Sequence, residues 1–161
     1  MIISFEKMPD ESRVWIYQSS RKFSEIEKNQ IIIKLNHFLN DWTAHGSKLS
    51  SSFQIKYNRF IIIALDEKNN KASGCSIDTS VRFIQELEKE FEIDLMDKMN
   101  VVFKQGDDIS YKSIFDFKKL IKNKSVSINT IVFNNLVVNK ADLKSNWEIP
   151  ASKSWHSRLF L

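Results

Sequence analysis

A chain of 161 residues with 42% apolar and 12% aromatic side chains can bury a sizeable core and is most simply one domain. Three glycines and two prolines leave little for flexible linkers, one cysteine excludes an internal disulfide, and no Cys/His cluster suggests structural zinc. The net charge of +4 is unevenly spread: residues 61–97 carry four Lys/Arg against nine Asp/Glu, and residues 98–144 carry nine against four.

Opposite blocks in one small domain compensate each other or colour opposite faces. A nucleic-acid binder is expected to show a denser basic stripe, so nucleic-acid or ribosome association through 98–144 ranks third among the readings below. The longest apolar run, Phe60 to Leu65, is too short to span a membrane. The opening MIISFEKMPDESR lacks the basic and apolar regions of a signal peptide. The expectation is a cytoplasmic protein without membrane insertion.

In chain order, RVWIYQS (Arg13–Ser19) alternates two apolar sets and reads as a strand with both faces partly covered. Ser24 with Glu27 forms a capping box, and Ile31, Leu35, Phe38, Leu39 and Trp42 follow as one helical stripe. That helix is expected to stop near AHGS at Gly46. SFQIKYN alternates as a half-exposed strand, and RFIIIALD reads as a central, doubly covered one. Asn58-Arg59 between them is either a hairpin turn or a bulge.

A second helix is expected from Asp78 or Thr79, with Val81, Ile84, Leu87 and Phe91 on its buried face. NVVFKQ and DISYK form a strand and its hairpin partner across Gly106. SIFDFKKLIKNK is a short helix capped by Ser113, NTIVFNNLVV a strand, KADLKSNW a helical turn, and PASKSWHSRLFL a tail. Up to Lys104 the order is β-α-β-β-α-β, the ferredoxin-like arrangement with sheet order 4-1-3-2. The fold class is therefore α+β: one domain over 1–161, with a core of about 12–104 and a C-terminal β/α extension of about 105–161.

This topology brings the loop holding His45 beside the loop ASGCSIDTS, which holds Cys75. Placed just before a helix, Cys75 sits where the dipole favours a thiolate. His45 is then a candidate base, with Asp66 or Asp78 to orient the imidazole. Ser73, Gly74, Ser76, Thr79 and Ser80 form a candidate ligand-binding loop, with the amides from Ser76 to Thr79 offered to an anion. His156 of SWHSR is a further candidate contact. The plainer reading makes Asp78, Thr79 and Ser80 caps, and Cys75 a small buried side chain.

No cofactor or metal is expected. Glycines at 46, 74 and 106 cannot form a P-loop, and the third strand of an RNA-recognition motif would need spaced aromatics that RFIIIALD lacks. In RVWIYQS, WTAHG, ASGCSID, FNNLV and SWHSR the chain resembles, over nearly its full length, a family of small bacterial proteins that often carry the label "ABC transporter ATPase". The resemblance implies a cytoplasmic bacterial protein and supplies no catalytic residues; without a Walker A loop, ATPase activity is not expected. The leading expectation is a ligand-binding or interaction module for a small anionic ligand or a protein partner. A cysteine-dependent hydrolase or transferase using Cys75 and His45 is the alternative.

Overall fold

The computed structural model describes residues 1–161, and the protein is mixed α+β. The chain divides into two units, residues 1–96 with 138–141 and residues 97–137 with 142–161.

In the first unit, β1 (Arg13–Gln18) leads to α1 (Glu25–Asp41). A hairpin of β2 (Thr43–Ala44) and β3 (Ser47–Lys48) follows, then β4 (Ser50–Lys56), β5 (Phe60–Asp66) and α2 (Gly74–Phe91). β1, β5 and β4 form an antiparallel sheet in that order. Every residue from Phe60 to Leu65 is at most 1% exposed, as the unbroken apolar run of β5 requires. Ile61, Ile63 and Leu65 pack with Ile31, Leu35 and Leu39 of α1 and with Ile84 and Leu87 of α2. Both helices thus cover one face of the sheet.

α1 starts as the capping box dictates: Ser24 Oγ accepts from Glu27 N (3.1 Å), and Glu27 Oε1 accepts from Ser24 N (2.9 Å). The Arg21 guanidinium bonds the same carboxylate at 2.7 Å and helps hold its pKa down to about 2. The helix ends earlier than expected. Trp42 turns extended, and the chain enters the β2–β3 hairpin, whose loop is His45-Gly46 at φ +52° and +79°. Positive φ at both positions is the type I′ requirement, so Gly46 serves a hairpin rather than a helix stop.

The β4–β5 connection is also a hairpin. Its turn is centred on Tyr57-Asn58 (φ +56° and +50°), one residue before the expected pair, and Arg59 N donates to Lys56 O at 3.0 Å. α2 begins at Gly74 rather than at Asp78 or Thr79. Ser73 is its cap, and Ser76 is the reciprocal partner. Thr79 and Ser80 instead bond back within the helix, Thr79 Oγ1 to Cys75 O (2.8 Å) and Ser80 Oγ to Ile77 O (2.6 Å).

The ferredoxin-like order is realised only in part. β1 and β4 flank β5 and run parallel to each other, as that topology demands. The fourth strand departs. In the second unit β6 (Asn100–Gln105), β7 (Asp108–Ser113), α3 (Ile114–Lys122), β8 (Ile131–Phe133), α4 (Lys140–Asn146, its first two residues in the first unit) and β9 (Glu148–Pro150) follow in sequence. Their sheet is ordered β7-β6-β8-β9 and is antiparallel throughout. β6 has neighbours on both edges, so none remains for β1. Closing the two-residue Gly106-Asp107 loop costs far less chain entropy than a distant pairing. The outer edge of β1 is met instead by Val138–Asn139, with Val14 N donating to Val138 O at 3.0 Å and Arg13 bridged to Asn139.

The core of the second unit holds Val101, Phe103, Phe117, Val132 and Ala151. Phe117 packs edge-on to Phe103 and to Phe160 of the tail, which forms two 3-10 turns, Ala151–Lys153 and Trp155–Phe160. β8 is shorter than the run NTIVFNNLVV. Asn134 Oδ1 accepts from Leu136 N, and Asn135 Oδ1 accepts from Trp147 Nε1 at 2.8 Å; these side-chain bonds close a loop where a strand was expected. No helix is long and apolar enough to cross a membrane.

Candidate functional site

The two loops expected to meet do meet. Trp42 Nε1 donates to Ser76 O at 2.9 Å, and Asn70 Nδ2 donates to Ser47 O of the β2–β3 hairpin at 3.0 Å. The chemistry expected of them is not assembled by hydrogen bonds, for none links Cys75, His45, Asp66 and Asp78. Cys75 is exposed in the first turn of α2 rather than in a loop before it. His45 is exposed at the hairpin tip, and Asp78 is exposed on α2. Asp66 Oδ1 accepts from Lys68 N at 3.0 Å, a turn contact.

The amides offered to an anion are engaged. Ser76 N donates to Ser73 Oγ (3.1 Å), Ile77 N donates to Ser73 O (3.0 Å), and Ser73 N donates to Ser76 Oγ (2.7 Å). Asp78 and Thr79 lie inside the helix, where amides bond carbonyls four residues back. A side chain built on Gly74 would meet nothing within 4 Å, so no close backbone approach demands glycine there. Ser76 and Ser80 are buried at 3% exposure. His156 belongs to the second unit. It is 1% exposed, bonded through Nδ1 to Ser154 Oγ at 2.7 Å and stacked on Trp155. Burial lowers its pKa to about 4. Its role is in packing, not at a surface.

The first unit holds a cleft of about 770 Å³ along α1 and α2. Phe38 of α1 and Phe83 of α2, which both line it, stack directly on each other with centroids 4.4 Å apart and planes at 7°, and Trp42 lies 5.6 Å from Phe38. Phe38 and Phe83 are both part-exposed. Thr79 lines the same cleft and is the one residue of the expected ligand-binding set to do so. The rim holds three carboxylates, Asp41, Glu86 and Glu90, against two ammonium groups, Lys34 and Lys89. Lys34 is tied to Glu90 at 3.0 Å, and His37 Nδ1 lies 3.8 Å from Asp41. The lining is therefore apolar where the stacked pair and Trp42 meet it, and its charged groups are mildly acidic in balance.

Phe83 escapes a reading that follows only the stripe Val81, Ile84, Leu87 and Phe91. It stands off that stripe with Thr79 four residues before it and Glu86 three after, an apolar ring on an otherwise polar face. That position is the signal a sequence can offer for a lined cleft. No group of three or more His, Cys, Asp or Glu side chains is placed to hold a metal. No known family model, curated protein sequence or solved structure matches this chain.

Proposed function

We propose that the first unit is a binding module whose α1–α2 cleft takes a small amphipathic ligand, a flat apolar ring bearing an ammonium group. The observation that carries this is the parallel Phe38–Phe83 pair lining a cleft of ligand size. The two rings cover each other's inner faces, so a ligand ring meets the pair on an outer face or at its edges, and a cation gains from an outer π-face and from the acidic rim. An anion at the start of α2 is the weaker reading, because Ser73 and Ser76 already engage one another's amides.

Tryptamine, indole and indole-3-acetate are the discriminating probes, followed by amide chemical shifts. Tryptamine is expected to perturb Phe38, Trp42 and Phe83 and to bind more tightly than indole-3-acetate. Phe83→Ala should weaken tryptamine about tenfold, the loss of one aromatic contact of 1–1.5 kcal/mol. No clustered shifts at the cleft up to the solubility limit, or tighter binding of indole-3-acetate, overturns the proposal. Inorganic phosphate perturbing Gly74 and Cys75 instead would restore the anionic reading.

A further inference from the structure

The net charge of +4 lies entirely in one unit. Residues 97–137 with 142–161 carry ten Lys/Arg and six Asp/Glu, whereas the other unit carries fourteen of each. Within the basic unit α3 divides sharply. Its inner side is committed to the core: Phe117 is 0% exposed, and Ile114, Leu120 and Ile121 pack with it. Its outer side presents Phe115, Lys118, Lys119 and Lys122, all exposed and spaced i, i+3, i+4, i+7, which is one stripe of a helix. Phe115 is 68% exposed, and Lys119 Nζ stands 4.4 Å from its ring centroid. One acid, Asp116, lies 3.8 Å from Lys119 and is placed in the first turn, where the helix dipole favours it.

Three ammonium groups on one stripe face a single carboxylate, Asp116, and the Phe115 ring stays largely in water although Lys119 lies over it. A polymer that repeats a negative charge and a flat ring relieves both costs at once. We infer that the outer face of α3 binds single-stranded nucleic acid, Phe115 stacking on a base while Lys118, Lys119 and Lys122 pair with backbone phosphates. An acidic peptide matches the charge but offers Phe115 no regular stacking partner. A membrane-surface helix needs a broad apolar face for lipid, and here that face is spent on the core.

Fluorescence anisotropy of labelled twelve-nucleotide oligo(dT) and oligo(U) tests this on the full chain between 25 and 200 mM salt. Three phosphate contacts predict a log–log salt slope of about −2. Replacing Lys118, Lys119 and Lys122 together by Ala should weaken binding at least about tenfold and flatten that slope. Phe115→Ala should weaken it roughly tenfold and leave the slope unchanged, and Phe115→Tyr should restore it. Circular dichroism checks that these surface variants fold. No binding at 25 mM salt overturns the inference. So does binding indifferent to Phe115, competition by poly-glutamate at equal charge, or a higher affinity for phosphatidylserine vesicles.

Discussion

The imidazole of His156 is neutral in the fold because almost no water reaches it. Its pKa of about 4 lies below the 6.5 of a fully solvated histidine, so between those values the unfolded chain binds the proton and the folded one does not. Stability therefore falls as pH drops through this window, by up to about 3 kcal/mol in total, and this contribution flattens below pH 4. Urea midpoints at pH 7 and 5.5 should differ in the native sequence and differ much less in His156→Gln. Cys75 makes the opposite case at the same scale. Its exposed thiol is expected to react with iodoacetamide in the folded protein, without denaturant. No hydrogen bond joins it to His45, so His45→Ala should leave the pH profile of alkylation unchanged; a displaced profile would reinstate a nucleophile–base pair.

Among the elements, the two long helices show what local sequence can and cannot specify. Ser24 with Glu27 announces α1 because a glutamate at the third position is the familiar reciprocal partner. α2 uses the same device with Ser76 in the glutamate's place, and a serine among Ser73, Ser76, Thr79 and Ser80 has no mark to single it out. Only the packed helix selects it, burying Ser76 and bonding its carbonyl to Trp42. Ser73→Ala should cost about 1 kcal/mol, seen as a lower urea midpoint, while Ser73→Asp should retain most of the stability. The cleft was half legible for a related reason. Phe38 follows from the α1 stripe, but the partner ring on α2 is fixed by how the helices lie together on β5.

For the molecule as a whole, the strands of the first sheet were readable because each carries its own pattern: alternation in β4, and an unbroken apolar run in β5. Which strand neighbours which was less so. The order β-α-β-β-α-β is shared by chains that close one sheet and by this one, which starts a second. The edge choice of β6 depends on the Gly106 hairpin and on β8, both lying beyond the segment that suggested the topology.

The segment that meets the edge of β1 arrives very late in the chain. Lys140, 3% exposed, anchors it by donating from Nζ to Met8 O at 2.7 Å and to Glu6 O at 3.0 Å, and Met8 and Lys140 are 132 residues apart. During synthesis the helices and strands of residues 1–96 emerge long before that lysine does. The nascent first unit must then wait with one sheet edge bare, the condition in which strands recruit wrong partners. Slowing elongation after residue 96 would lengthen that vulnerable interval, and releasing the chain short of residue 138 would make it permanent.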